Sequence, residues 1–236
     1  VWLGFGLGCG GKAPATDTLE ADTSATDTGE EIPRAELQLA LPLSDPDAIS
    51  LAFICGVDHD PVTYTGFERA RCLDYAGRGF PWCYDEHEGS DYMLDGGFST
   101  MDAGSTPVVA AAPGVVESAE DGHYDRCHAD AGKGGNSCDG EPMIANSVIL
   151  AHDTGQRTLY WHLKSGSVAV TVGEHVAAGA LLGLVGSSGN SSAPHLHFGL
   201  EDSLGRFIDP YAGPNSQSET WWCDQGDPEG LPGACP

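Results

Sequence analysis

The sequence predicts a mainly β protein, on three observations. Glycine and proline are abundant, 33 and 15 of 236 residues, and such a supply of turn formers suits many short strands better than helices. No long segment repeats its apolar residues at the 3.6-residue period of a helix. Short β-branched and aromatic runs recur instead, mostly separated by turns containing Gly, Asp or Ser. They are Pro107–Val116, Ser147–His152, Thr158–Leu163, Ser167–Val172, Leu181–Val185 and His195–Leu200.

Three regions follow from composition. Residues 1–9 are apolar up to a cysteine and read as the trimmed end of a secretory signal. The stretch Leu7-Gly8-Cys9-Gly10 resembles a bacterial lipobox, which implies a lipid anchor on Cys9. Gly6 stands where such boxes usually carry Leu, and a frayed terminus with a free or disulfide-bonded cysteine is the alternative. Residues 10–36 are rich in Thr, Ala, Asp and Glu and lack aromatics, the composition of a disordered linker. Residues 37–236 form the domain, with its core in 85–211. The leading part, 37–84, suggests no chemistry of its own, and 121–142 reads as a polar inserted loop at the edge of the site.

Charge and cysteine bound the partners. The chain carries 35 acidic and 10 basic residues, a formal net charge of −25. That excludes nucleic acid as a natural ligand, because phosphate binding relies on Lys and Arg. It also excludes a polybasic membrane patch. Eight cysteines without a C-x-x-C pair argue for disulfides in an oxidising compartment rather than a zinc ribbon or a redox motif. Cys127 with Cys138, and Cys223 with Cys235, read as local loops. Cys72–Cys83 is the preferred pairing among the rest, although spacing alone leaves Cys55, Cys72 and Cys83 open.

The chemistry centres on Pro194-His195-Leu196-His197-Phe198. On a strand, alternate side chains share a face, so His195 and His197 point together while Leu196 and Phe198 pack behind. Two imidazoles on one face can both bind a metal, or one can bind it while the other moves protons. A second element is His87-Glu88-Gly89-Ser90-Asp91. Its His and Asp would lie about 13 Å apart on a straight strand. A bend is therefore required for them to share an ion, and Gly89 could supply it through a positive φ. His162, in Leu159-Tyr160-Trp161-His162-Leu163, ends a strand. His152 precedes the turn Asp153-Thr154-Gly155 and reads as structural. His123 and His128 read as loop residues that could line a cleft. Trp221-Trp222 reads as packing, with a ligand platform as the alternative.

In this order, H-x-G-x-D, the run from Gly104 to Val116, the strand-ending His162-Leu163 and Pro-His-Leu-His-Phe resemble the lysostaphin/LytM-type zinc metallopeptidases. The resemblance covers roughly residues 85–211. It implies a compact antiparallel β fold, a sheet or barrel-sandwich, with loop insertions. It also implies one Zn2+ per chain on His87, Asp91 and His197, and catalytic roles for His162 and His195. The implied substrate is the peptide stems or cross-links of peptidoglycan, and the implied place is the bacterial envelope, lipid-anchored or secreted. No particular oligomeric state is implied. An inactive wall-binding module of the same fold and a peptidase for Gly-rich proteins are the rival readings. Two departures bear on groove shape: Ala193 replaces the usual Gly before Pro-His, and Gly199 follows His-Leu-His-Phe where Glu is common.

Overall fold

In the computed structural model, which describes residues 37–236 apart from 66, 67, 69, 131, 133 and 134, short strands dominate. Cys9 and the linker 10–36 lie outside the described residues. The strands are β1 (Ile49–Cys55), β2 (Ser90–Leu94), β3 (Pro107–Val109), β4 (Gly114–Glu120), β5 (His128–Ala129) and β6 (Asn136–Ser137). They continue with β7 (Ser147–Ala151), β8 (Arg157–Trp161), β9 (His175–Val176), β10 (Leu181–Leu184) and β11 (His195–Glu201). A 3-10 turn at Pro46–Ala48 precedes β1, and a short α-helix, α1 (Phe98–Ala103), follows β2. A seven-stranded sheet runs in the order β1-β2-β11-β8-β7-β4-β9, with antiparallel pairing throughout. β10 pairs with β3, and β5 with β6, as separate two-stranded ribbons.

Two expected strands are corrected. The run Pro107–Val116 is broken into β3 and β4, because Ala110-Ala111-Ala112-Pro113 turns between them and Pro113 has no N–H for a ladder. Ser167–Val172 is not a strand. Asp121 takes the Gly166 and Val168 amides and Glu174 takes that of Thr171, leaving single backbone bonds such as Ala169 N–H to Leu182 O. β1, β2, β5, β6, β9 and α1 went unread in the sequence.

Register decides which side chains share a face. Leu196 faces Tyr92 and Phe198 faces Tyr160 across neighbouring strands, and Val148 faces Tyr160. All five are essentially unexposed and form the apolar face. Burying each such side chain contributes roughly 1.5–3 kcal/mol. The face is covered by the two ends of the domain. Leu39 donates its amide to Trp221 O and accepts from Cys223 N–H, tying residues near 39 to the tail. Trp222 packs with its ring centroid 5.5 Å from Phe198 and 5.4 Å from Tyr211. Packing, not ligand display, is therefore the role of Trp222.

Disulfides join Cys72 to Cys83, Cys127 to Cys138 and Cys223 to Cys235, and Cys55 is a free thiol. His152 is buried. Its Nδ1 donates to Pro113 O at 2.8 Å and its Nε2 lies 2.9 Å from Thr158 Oγ1, a structural tie between hairpins.

Candidate metal centre and its cleft

The opposite face of the same strands carries the polar cluster. His197 pairs with Asp91 on β2 and with Trp161 on β8, so these three side chains stand in one row. His195, two residues earlier, shares their face. The Trp161 ring stacks on His197 with centroids 5.3 Å apart. The row follows from the alternation that buries Leu196 and Phe198, so core packing and site assembly have one cause.

His87 arrives from outside the sheet. It follows a turn in which Glu86 takes a φ of 60°. Gly89, between His87 and β2, does not adopt a positive φ. Its requirement is space: a Cβ there would lie 2.5 Å from Cε1 and 2.6 Å from Nε2 of His197. The chain does bend at Gly89, between the two residues, without a positive φ, and the glycine lets the second imidazole lie against the backbone. His87 Nδ1 sits 2.8 Å from Gly56 O. A carbonyl can only accept, so Nδ1 carries a proton, and Nε2 is the nitrogen turned to the cluster. Tyr84 stacks on His87 at 4.2 Å and donates its hydroxyl to Asp91 Oδ2 at 3.2 Å, leaving Oδ1 for the histidines.

His87 Nε2, Asp91 Oδ1 and His197 Nδ1 form a triangle with edges of 3.2, 2.9 and 3.2 Å. All three residues are buried, and among the described residues they form the cluster suited to a metal ion.

His195 and His162 flank this triangle. His195 Nδ1 donates to Ala193 O at 2.7 Å, and its Nε2 lies 3.5 Å from Asp91 Oδ1. His162 Nδ1 donates to Ser188 O at 2.7 Å, and its ring centroid is 4.6 Å from that of His195. Strand alternation would send residue 162 to the face opposite Trp161. A left-handed φ of 66° at His162 turns it back. Such a conformation costs on the order of 1–3 kcal/mol in a non-glycine residue and persists where surrounding bonds impose it.

Burial and mutual charge set the protonation. For Asp91, burial opposes ionisation, yet the imidazoles of His87 and His195 and the bond from His197 override it. They hold the carboxyl well below its usual range. Burial also pulls His87 down, but the charge of Asp91 beside it carries its pKa above the ordinary value. His162 is held well below the ordinary imidazole value by burial and by its histidine neighbours, so it is neutral. Burial lowers His197 likewise.

The centre opens on a cleft of about 340 Å³ lined by Tyr84, Asp91, Gly135, Asn136, Asn190, Ser192 and His195. The inserted loop 121–142 supplies Gly135 and Asn136, so it does edge the site. His123 and His128 are not among the lining residues. Cys127 and Cys138 are joined to each other and stand apart from the cluster. Tyr84, Trp161, Asn136 and Asn190 were not read as site residues. For Trp161 the signal was available, since alternation places it beside His197 once β8 pairs with β11.

The sequence model described as Peptidase family M23 matches residues 93–210. The match includes His162, His195 and His197 and begins after His87 and Asp91. The DD-carboxypeptidase/endopeptidase Mpg of Neisseria meningitidis serogroup B is 34% identical over 112 residues, 48% of this chain and 19% of that protein. The peptidoglycan DD-endopeptidase ShyA of Vibrio cholerae is 27% identical over 114 residues, 48% of this chain and 20% of that protein. The chain spans about a fifth of the length of these curated relatives. The solved catalytic domain of lysostaphin from Staphylococcus simulans aligns with a TM-score of 0.37 at 27% identity, over 57% of this chain and 82% of that one. With half of its residues matched by the family model, the chain belongs to peptidase family M23.

Proposed function

We propose that the chain is a zinc-dependent endopeptidase that hydrolyses peptide stems or cross-links of bacterial peptidoglycan outside the cytoplasm. The observation that carries this reading is the convergence of His87, Asp91 and His197 beside two further imidazoles whose Nδ1 atoms are held by main-chain carbonyls. The donor set fits zinc. Two nitrogens and one carboxylate oxygen suit it. A tetrahedral shell with bonds of about 2.0–2.2 Å spaces its donors about 3.3–3.6 Å apart, and the edges here are 2.9–3.2 Å. Three protein donors leave one position open, as catalytic rather than structural zinc requires. Zinc, when bound, supplies Lewis acidity that polarises the scissile carbonyl and acidifies water.

The remaining steps belong to the chain. His162 and His195 handle the proton: Nε2 accepts it from the attacking water and returns it to the departing amine. Their Nδ1–H bonds to Ser188 O and Ala193 O fix ring orientation and leave Nε2 as the nitrogen that exchanges the proton. The burial of His162 keeps it neutral and ready to accept. Membership of a peptidase family and similarity to a peptidoglycan DD-endopeptidase support the substrate. The disulfides support an extracytoplasmic place. In this reading residues 85–211 are the catalytic core of a domain spanning 37–236, and a lipid on Cys9 tethers it to the envelope through residues 10–36.

The test combines metal analysis with product identification. Purified protein is expected to carry about one zinc per chain and to release peptide-cleaved fragments from peptidoglycan, identified by mass spectrometry. His195→Ala is expected to keep the zinc and lose hydrolysis, whereas His197→Ala loses both. Hydrolysis surviving in His195→Ala overturns the catalytic assignment. Cleavage of a Gly-rich protein but not of peptidoglycan overturns the substrate.

A further inference from the structure

The cleft is lined in part by two asparagines that the hydrolytic chemistry does not use. Asn136 lies on β6 of the inserted loop, and Asn190 lies in the Gly/Ser-rich loop before His195. Asn136 Nδ2 donates to Asn190 Oδ1 at 2.8 Å. A carboxamide offers two N–H donors and an oxygen with two lone pairs. The bond between them therefore leaves Asn136 Oδ1 as an open acceptor and the Asn190 NH2 as an open donor. Reversing both amides would exchange which residue offers which, but the pair would still present one oxygen and one NH2.

This pair is held in place relative to His195. The Cys127–Cys138 disulfide closes the base of the β5–β6 ribbon, in which Ala129 pairs with Asn136. The Cys127 amide donates to Ser187 O and the Ala129 amide to Ser192 O, each at 2.9 Å. Ser187 Oγ donates to Cys127 O at 2.6 Å. These bonds, with that from Ser187 N–H to Asp125 O, join the insertion to the loop that leads into His195, and the asparagines share one cleft with Asp91 and His195. A neutral acceptor beside a neutral donor complements the N–H and C=O of a peptide main chain, and selects against carboxylates and ammonium groups, which need a charged partner.

We propose that Asn136 and Asn190 act as a carboxamide clamp that hydrogen-bonds the main chain of the peptide substrate and holds it beside His195. This rests on the peptidase reading and adds how the substrate is positioned. The insertion is then a specificity element, stapled by its own disulfide so that little ordering is required on binding.

The test uses soluble cross-linked muropeptides with the wild-type protein, Asn136→Leu, Asn190→Leu, Asn136→Ser and the double leucine variant. Zinc content and melting temperature are followed alongside, and calorimetric binding of the same muropeptides is measured in parallel. Each single leucine substitution is expected to raise KM about fivefold to tenfold, the worth of about one hydrogen bond. kcat should stay within about twofold, with zinc content unchanged. The double variant is expected to be little worse than either single one, because the pair acts as a unit. Unchanged KM and unchanged binding in the double variant overturn the clamp, as does a loss confined to kcat. If the wild type binds without hydrolysing and the variants bind more weakly, the clamp stands and the peptidase reading falls. If the wild type neither binds nor hydrolyses, the clamp is overturned as well.

Discussion

At the scale of single residues, two backbone positions shape the site as much as its ligands do. His162 comes to lie beside His195 because its φ of 66° cancels strand alternation. Gly89 matters because the His197 ring occupies the space a side chain would fill. Gly89→Ala is therefore expected to displace His197 and weaken zinc binding by on the order of tenfold to a hundredfold, measured by competition with a chelator. Wild-type affinity in this variant would show that the ring has room to move. The sequence pointed to Gly89 for a different reason, conformational freedom. The actual reason lies on another strand, 108 positions along in His197, and local spacing carries no trace of it.

Hairpins are the next scale, and the β7–β8 hairpin contains a pH-sensitive tie. His152 is buried between Pro113 O and Thr158 Oγ1, and burial lowers its pKa below the ordinary 6.5. Asp153 opposes this shift without reversing it. The folded state thus binds the proton less readily than the unfolded chain. The contribution of His152 is fully present above about pH 6.5 and is lost as pH falls from there toward the lower, folded-state pKa. Melting temperature measured from pH 8 to pH 5 should fall less steeply in His152→Gln than in the wild type. Equal slopes would remove His152 from the acid response. The hairpin itself was legible as two short apolar runs around Asp153-Thr154-Gly155. The loop 165–172 was not, because the amides of Gly166, Val168 and Thr171 are taken by Asp121 and Glu174 instead of forming a strand ladder.

Across the whole molecule, the two ends of the domain serve the site without touching it. Residues near Leu39 and the tail at Trp221–Cys223 hydrogen-bond to each other, and Trp222 seats on Phe198. Phe198 follows His197 directly, so loosening this packing loosens a proposed zinc ligand. Trp222→Ala is expected to lower unfolding free energy by about 3–5 kcal/mol, read as the urea midpoint. Trp222→Phe should cost far less, since Trp222 Nε1 is buried without a protein partner and its loss leaves nothing unpaired. Equal losses in the two variants would contradict this account. The segment 37–84 showed no chemistry in the sequence. In the fold it supplies β1, the Gly56 carbonyl that sets the His87 tautomer, and Tyr84 against Asp91.

What the sequence determined by itself was what depends on local period and order: a β protein, two histidines on one face of a strand, and a family-specific order of motifs. Tertiary structure alone decided which residues meet. His87 and Asp91 converge across a bend at Gly89, His162 rejoins the face it should have left, and Asn136 of the insertion reaches Asn190. Each of these depends on pairing between segments far apart in the chain. Long-range register is set by the burial of the whole sheet, and no short window of sequence contains that information.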